Sequence, residues 1–196
     1  MLANQSLYGG KKMEIKLLIG LGNPGPEYES TYHNVGHLFI DSLAGETIKF
    51  KRGKQFEYID GKAQIAKGKE PVLIKSLNFM NQSGEAVAAA KKHFKVKSQE
   101  ILIVHDDSDI ALGRFKLSFG RGSAGHQGVE SIIKSLKTNR FHRLRIGIRP
   151  PIKANLPAVA RRAKAGELVL RKISAADRET LKKLFEEIKA SLLAGK

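Results

Sequence analysis

Apolar residues recur along the chain with two periods, one typical of β-strands and one typical of α-helices. Uninterrupted or every-second apolar positions predict strands at Ile15–Ile19, Phe56–Ile59, Gln64–Ala66, Pro71–Lys75, Ile101–Val104, Arg114–Phe119 and Arg143–Arg149. The apolar stripe of a helix follows in four places, from Val35 to Leu43, Val87 to Phe94, Val129 to Leu136 and Leu181 to Ile188. Because strands and helices alternate throughout the chain, the pattern predicts an α/β fold.

The loop after the first predicted strand is rich in glycine and proline. It runs from Gly20 to Tyr28, and it must turn abruptly because Gly permits positive φ while Pro fixes φ. Ser30 or Thr31 is the expected N-cap of the helix that follows. The strand end therefore presents Asn23, and the first helical turn presents His33, at the edge of the sheet where α/β proteins bind ligands.

The same loop has a second interpretation. The segment Gly20–Gly25 matches the Gly-x-Gly-x-x-Gly fingerprint of dinucleotide-binding proteins, with Asp41 about where an acidic residue is needed. That fingerprint requires a helix to begin directly on the glycines, whereas Pro24 and Pro26 delay it here. Asp41 also falls inside the amphipathic helix. The pattern therefore favours a loop that displays polar side chains for chemistry, with His33 as the base.

Composition limits the class of protein. With 196 residues and 41% hydrophobic content, the chain is long enough for one domain with a sizeable core. We expect residues 1–12 to form a polar leader and residues 13–196 to form the single domain. No apolar run has the length of a transmembrane helix or the form of a signal sequence, which favours a cytoplasmic protein. The absence of cysteine excludes disulfides and thiolate metal ligands.

Positive charge is concentrated in one half of the chain. The formal net charge is +16, and residues 110–166 contain 13 basic residues against one acidic residue. Such an asymmetry indicates a polyanionic partner, most simply a nucleic acid. The alternative is a solvated basic surface without a partner.

Polar side chains follow three of the predicted strands: Asn23 with His33, then Asn78–Asn81, then His105–Asp109. If they converge at one edge of the sheet, they form a site of histidine, carboxylate and amide groups. The Gly-x-Ser-x-Gly pattern of a serine nucleophile is absent, and the histidines lack metal-ligand spacing, so we expect no metal. The combination is typical of water activated by a histidine base, with a carboxylate that orients the imidazole and amides that stabilise an oxyanion.

Several motifs, in the same order, resemble those of bacterial-type peptidyl-tRNA hydrolases. They are Gly20–Tyr28, Thr31–Gly36, Phe79–Gly84, His105–Asp107, Gly125–Gly128 and Phe141–Ile148. The resemblance runs from about Met13 to Ile148, and more loosely to Ser174–Glu179. It implies a single-domain, three-layer α/β/α fold of the phosphorylase/hydrolase type, with a twisted, mixed and mostly parallel sheet. It also implies a monomeric cytoplasmic esterase that acts on peptidyl-tRNA without a cofactor and recycles tRNA from prematurely released peptidyl-tRNA.

The resemblance assigns catalytic roles to three residues. His33 would take a proton from the water that attacks the ester between the peptide and the 3′ ribose of tRNA. Asp106 would hold the imidazole in its working tautomer and stabilise its protonated form. Asn23 would hydrogen-bond the peptide part and help to distinguish blocked from free aminoacyl ends. His105 and His126 are expected to be structural or adjacent to the substrate.

The resemblance also places substrate-binding residues. Asn81, with Tyr28 and Phe79 beside it, would line the place where the acylated terminus lies. Arg114 and Lys116 stand where the family has basic residues that meet tRNA phosphates.

The chain departs from the family pattern in two places. Gln127 replaces the usual Asn of the family's Gly-His-Asn-Gly loop, so its amide lies one methylene further out and its contacts are an open question. The chain ends at Lys196, before the family's usual C-terminal helix extension, so we expect any substrate cover from that segment to be either reduced or differently built. A non-catalytic RNA-binding factor on the same scaffold is the alternative function, although binding alone does not require a His–Asp pair.

Overall fold

The structure, a computed structural model, describes residues 14–45, 49–60, 70–150 and 166–193. Its described strands form one seven-stranded sheet in the order β2-β3-β4-β1-β5-β7-β6. The strands are β1 Leu17–Gly20, β2 Lys51–Arg52, β3 Phe56–Ile59, β4 Val72–Ser76, β5 Ile101–Ala111, β6 Phe115–Phe119 and β7 His142–Arg149. The four central strands β4, β1, β5 and β7 are parallel, and β3 and β6 flank them in the antiparallel direction.

In the described part of the chain, four helices cover the two faces of this sheet: α1 Val35–Ala44, α2 Ser83–His93, α3 Gln127–Leu136 and α4 Ala175–Leu193. A shorter helical segment occupies residues 166–169. Leu18 of β1 packs in one core cluster with α1 and α4, whereas Leu17 and Ile19 pack in the other with α2 and α3. Successive strand residues point to opposite faces, so the continuous apolar run of β1 supplies both cores. The predicted three-layer α/β/α class is confirmed.

The polar stretch after Val104 is not a strand end. β5 continues from Ile101 to Ala111 and pairs with β7 from Leu102 as far as Asp107, and again at Ala111 after an irregularity. β1, on the other side of β5, ends its pairing at Val104. His105–Asp109 was predicted to follow the strand and instead lies within it, because β7 still supplies backbone partners where the apolar sequence stops.

The beginning of α1 also differs from the prediction. Thr31 precedes a single 3₁₀ turn, Tyr32–Asn34, and its side chain donates to the carbonyl of Tyr28 instead of capping that turn. The residue before α1 is Asn34, so neither Ser30 nor Thr31 is the N-cap of that helix. In contrast, Ser174 lies directly before α4, and its hydroxyl accepts a hydrogen bond from the backbone N–H of Asp177, as an N-cap does.

The arginines of β7 are only partly open to solvent. Arg143 is 2% exposed and donates from Nη2 to the carbonyl of Gly122 at 2.9 Å, and Arg145 bonds Asp107 through Nε at 2.7 Å. Both guanidinium groups therefore hold neighbouring segments in place.

Two sequence-based predictions lie outside the described residues: the polar leader over residues 1–12 and the strand Gln64–Ala66. Among the described helices, none combines the length and the apolarity that crossing a bilayer requires.

Candidate active site

Asn23 is held at the carboxyl end of β1 by the side chain of Asn34. The Asn34 Oδ1 atom accepts from the backbone N–H of Asn23 at 2.8 Å, and its Nδ2 donates to the Asn23 carbonyl at 2.9 Å. Asn34 is 2% exposed, so both bonds lie away from solvent. The loop that Gly and Pro force out of the sheet is thereby tied to the turn that carries His33.

The side chain of Asn23 has one defined orientation. Its Oδ1 accepts from the backbone N–H of Met80 at 2.7 Å. Because a backbone N–H can only donate, the oxygen must face Met80 and the Nδ2 amide group faces the other way. Asn23 lines a cleft of about 770 Å³, so Asn23 offers hydrogen-bond donors to whatever occupies that cleft.

His33 and Asp106 form the predicted pair. His33 Nδ1 lies 2.8 Å from Asp106 Oδ1, and the side chains are 12% and 2% exposed. A carboxylate accepts only, so in the neutral imidazole of His33 the proton is on Nδ1 and the lone pair is on Nε2. The imidazole therefore has the tautomer that a general base requires.

Asp106 stays ionised although it is buried. Burial by itself raises the pKa of this carboxyl, but the electrostatic interactions and hydrogen bonds with His126 and His33 outweigh burial and hold the pKa well below its usual range. The result is a carboxylate at neutral pH in contact with two imidazoles.

His126 is the second imidazole on Asp106, and sequence reasoning did not assign it this role. Its Nε2 lies 3.0 Å from the same Oδ1 atom, and its Nδ1 accepts from the backbone N–H of Val129 at 3.3 Å. His126 is thus the N-cap of α3, which fixes its proton on Nε2. The sequence signal that could have indicated this role is the position of His126, directly after a glycine-rich loop and directly before a predicted helix.

His105 is a third imidazole beside this carboxylate and is neutral. Its Nδ1 bonds the backbone carbonyl of Asp106 at 2.7 Å, and its ring centroid lies 4.5 Å from that of His126. Burial, and then the neighbouring His126, lower the pKa of His105 well below the ordinary value. The Asp106 carboxylate is therefore hydrogen-bonded by His33 and His126, whereas His105 bonds only its backbone carbonyl.

His33, Asp106 and His126 also form a possible metal-ligand set, with one ligand atom each and all three atoms within 4.8 Å of one another. The hydrogen bonds argue against this use. A histidine that binds a metal through Nε2 carries its proton on Nδ1 and donates it to an acceptor. Nδ1 of His126 instead accepts from the backbone N–H of Val129. If Nε2 bound a metal, Nδ1 would carry the proton, and its N–H would face the N–H of Val129 with no acceptor between them. The three residues fit a hydrogen-bonded catalytic group better than a metal centre.

Four of the predicted substrate residues lie at or beside the cleft. Phe79 is 51% exposed, and Tyr28 meets its ring edge-on with centroids 6.3 Å apart. Phe79, Asn81 and Gln127 all line the cleft. Gln127 is the first residue of α3, directly after His126. Its side chain, one methylene longer than the Asn usual in the family, therefore begins at the cleft wall.

The predicted phosphate-binding residues lie outside the cleft lining. Arg114 is exposed in the turn before β6, and Lys116 is exposed in β6 opposite Arg145 of β7. Leu117, the residue after Lys116, packs in the core cluster that contains α1 and α4. Successive strand residues point to opposite faces, so Lys116 points to the other face of the sheet.

The cleft wall also contains a segment that the sequence did not single out. Gly166, Val169 and Leu170 line the cleft, and Leu170 is 53% exposed. Leu170 and Phe79 are large apolar side chains that remain open to solvent at the cleft. The apolar periodicity near residue 170 is too short to predict a helix, so no signal in the sequence indicated this wall.

Comparison with known proteins places the chain in a family. The family model described as Peptidyl-tRNA hydrolase matches residues 17–194. Among similar proteins, a peptidyl-tRNA hydrolase of Aquifex aeolicus is 47% identical over 145 residues, which is 72% of this chain and 73% of that protein. A peptidyl-tRNA hydrolase of Sorangium cellulosum is 36% identical over 178 residues, 90% of this chain and 76% of that protein.

A solved structure is also similar. The crystal structure of peptidyl-tRNA hydrolase from Acinetobacter baumannii matches with a TM-score of 0.78 and 29% sequence identity, over 94% of this chain and 89% of that chain.

Proposed function

The chain belongs to the peptidyl-tRNA hydrolase family, and from this premise we propose that it hydrolyses the ester between a peptide and the 3′ ribose of tRNA with water activated by His33. As a member of this family it is a carboxylic ester hydrolase. The observation that carries the assignment of the base is the bond from His33 Nδ1 to Asp106 at 2.8 Å. It leaves Nε2 as a proton acceptor toward the cleft.

The proposed reaction uses the Nδ1–H tautomer of His33, in which Nε2 can accept a proton. Nε2 of His33 takes a proton from water as the water oxygen bonds to the ester carbonyl carbon. The imidazolium that forms is stabilised by the Asp106 carboxylate. When the tetrahedral intermediate collapses, the bond to the ribose 3′ oxygen breaks, and that oxygen takes the proton back from Nε2. The products are a peptide with a free carboxylate and a tRNA with a free 3′ hydroxyl.

Asn23 is the proposed donor to the peptide part of the substrate. Its oxygen is occupied by Met80, so Nδ2 is available to the amide carbonyl oxygen of a blocked amino end. Since Nδ2 only donates, it favours a blocked end that presents a carbonyl oxygen over a free ammonium group, which presents donors alone. This orientation supports Asn23 as a residue that separates peptidyl from aminoacyl esters.

The tRNA is the proposed macromolecular partner. Arg114 and Lys116 are exposed cations and are proposed to contact its phosphates, while Tyr28, Phe79, Asn81 and Gln127 receive the acylated terminus. Phosphate contacts hold the substrate without reading its sequence, which suits an enzyme that acts on many tRNAs. We propose that the protein acts as a cytoplasmic monomer and needs no cofactor.

The test compares an N-acetylated aminoacyl-tRNA with the same aminoacyl-tRNA carrying a free amine. We expect the parent enzyme to release the blocked amino acid rapidly and the free one slowly. The variant His33→Ala should lose turnover while it binds tRNA with nearly unchanged affinity. The matched control is His93→Ala, an exposed histidine at the end of α2.

Two results would reject the proposal. A His33→Ala enzyme that turns over at a near-parent rate removes the assignment of the base. A parent protein that binds tRNA tightly and in a salt-sensitive way but releases nothing is the non-catalytic RNA-binding protein.

A further inference from the structure

The turn that carries His33 is too short to hold itself in place. It is a single 3₁₀ turn, Tyr32–Asn34, and no side chain caps its N-terminus. Short 3₁₀ turns have poor hydrogen-bond geometry and are easily reshaped by their surroundings. The position of the imidazole therefore depends on contacts from other parts of the chain.

A segment near the end of the chain supplies backbone contacts to this turn. The backbone N–H of Tyr32 donates to the carbonyl of Arg171 at 3.2 Å, and that of Ile173 donates to the carbonyl of Ser30 at 2.8 Å. Between these bonds, Thr31 and Lys172 form an antiparallel bridge. The residues before His33 are thus paired with residues 171–173 as in a two-stranded sheet.

Two side-chain bonds extend this pairing. The hydroxyl of Tyr32 donates to Oδ2 of Asp177, in the first turn of α4. The Lys172 Nζ atom donates to the carbonyl of Glu27, at the other end of the loop. The ring of Tyr32 is buried in the core between α1 and α4. Burial, and then the bond to Asp177, raise the pKa of Tyr32 to about 12, so its hydroxyl remains a donor throughout the neutral range.

We propose that Tyr32 and Asp177 are positioning residues, which hold the adjacent His33 at the distance and angle from Asp106 that proton transfer requires. The inference rests on the proposed function, since it takes His33 as the base. Tyr32 is one peptide bond from His33 and is fixed at both its backbone and its hydroxyl. Misplacement of a catalytic group by about 1 Å lowers a rate by roughly a hundredfold, so small shifts of this turn matter.

The kinetic test uses two variants that remove the hydrogen bond between Tyr32 and Asp177, one by deleting its donor and the other by deleting its acceptor. Tyr32→Phe keeps the buried ring and deletes the hydroxyl, and Asp177→Ala deletes the acceptor on a partly exposed residue. Each should lower kcat by roughly tenfold and leave KM within a factor of about two, because substrate contacts are unchanged. Asp177→Asn retains an oxygen that accepts from Tyr32 and should restore kcat to near the parent value.

A matched control separates this effect from general loosening of α4. Glu186→Gln removes the ion pair with Lys189 on the exposed side of the same helix and should leave kcat and KM unchanged. The double variant Tyr32→Phe/Asp177→Ala should be no slower than either single variant, since both delete the same bond.

The second readout is the imidazole of His33 itself. Long-range ¹H–¹⁵N spectra distinguish the two histidine tautomers, and the His33 signals are assigned by their loss in His33→Gln. We expect only the Nδ1–H form in the parent and a mixture of both tautomers in Tyr32→Phe. A merely structural contribution of Tyr32 would lower stability without altering this ratio.

The outcomes separate the two proposals. If His33→Ala is inactive but Tyr32→Phe and Asp177→Ala keep the parent kcat and the parent tautomer, the positioning role is wrong and the base assignment stands. If kcat falls equally in Asp177→Ala and Asp177→Asn, the hydrogen bond to Tyr32 is not the cause. If His33→Ala keeps its activity, the proposed function fails first.

Discussion

Asn34 holds the backbone of Asn23 on both sides, accepting from its N–H at 2.8 Å and donating to its carbonyl at 2.9 Å. The buried side-chain amide of Asn34 thereby makes the two backbone hydrogen bonds that a neighbouring strand makes to a residue inside the sheet. The two proposed functional groups of the loop, the Asn23 amide and the His33 imidazole, are connected through this side chain. The position of each therefore depends on the other.

Asn34→Ala should lower both stability and activity. It leaves a buried N–H and a buried carbonyl of Asn23 without partners, at a cost of about 2–4 kcal/mol in the free energy of unfolding. The activity of the folded fraction should also fall, because the backbone that carries the Asn23 side chain loses the two bonds that hold it in place. Urea unfolding and kcat per active site measure the two effects. Parent stability in this variant would show that water replaces the amide at no cost.

His126 offers a pair of variants that separates its two contacts. His126→Asn keeps a good N-cap for α3 and loses the bond to Asp106, whereas His126→Ala loses both. We expect equal losses of kcat in the two variants, but a stability about 1 kcal/mol lower in His126→Ala than in His126→Asn. Kinetics and urea unfolding on the same samples check this. Full activity in His126→Asn would limit the role of His126 to the helix cap.

Arg114→Ala and Lys116→Ala should weaken tRNA binding through charge. Each lost phosphate contact reduces the slope of log affinity against log salt concentration by about 0.7–0.9. Turnover at saturating substrate should not change. Binding titrations at four salt concentrations measure the slope, with Lys182→Ala on α4 as the control, an exposed lysine across the sheet from Lys116. An unaltered slope in both variants would place the tRNA on another surface.

His37 should make the protein sensitive to mild acid. Burial, and then the charge of Lys75, lower the pKa of His37 to about 3, while its ring contacts Ser76 and leaves no space for a side chain at Gly22. The unfolded chain binds a proton at this histidine below about pH 6.5, and the folded chain does not. Stability is therefore complete above that pH and is lost as the pH falls toward 3, by at most about 1.4 kcal/mol per pH unit.

The check on His37 is urea unfolding from pH 7.5 to 4.5 for the parent and His37→Asn. The variant cannot take up this proton, so its stability should fall less steeply with acid. The buried His105 titrates in both proteins and cancels in the comparison. Parallel curves would contradict the assignment to His37.

Much of the candidate site was predictable because its residues carry local signals. A strand, an abrupt glycine and proline turn and a helix start placed Asn23 and His33 at a sheet edge, where ligands bind. The motifs around Phe79, Asp106 and the Gly125–Gly128 loop indicated the family. The proposed roles of these residues in catalysis and binding are still predictions.

The sequence by itself determined which positions are apolar and with what period, and hence the strands, the helices and the α/β class, because periodicity depends only on near neighbours. Only the tertiary structure decided which distant residues meet. Asn23 bonds Met80, His126 bonds Asp106 and Tyr32 bonds Asp177 across separations of 57, 20 and 145 residues. The course of β5 past Val104 has the same physical reason: a polar stretch stays extended where a neighbouring strand satisfies its backbone, and the order of strands in the sheet determines that neighbour.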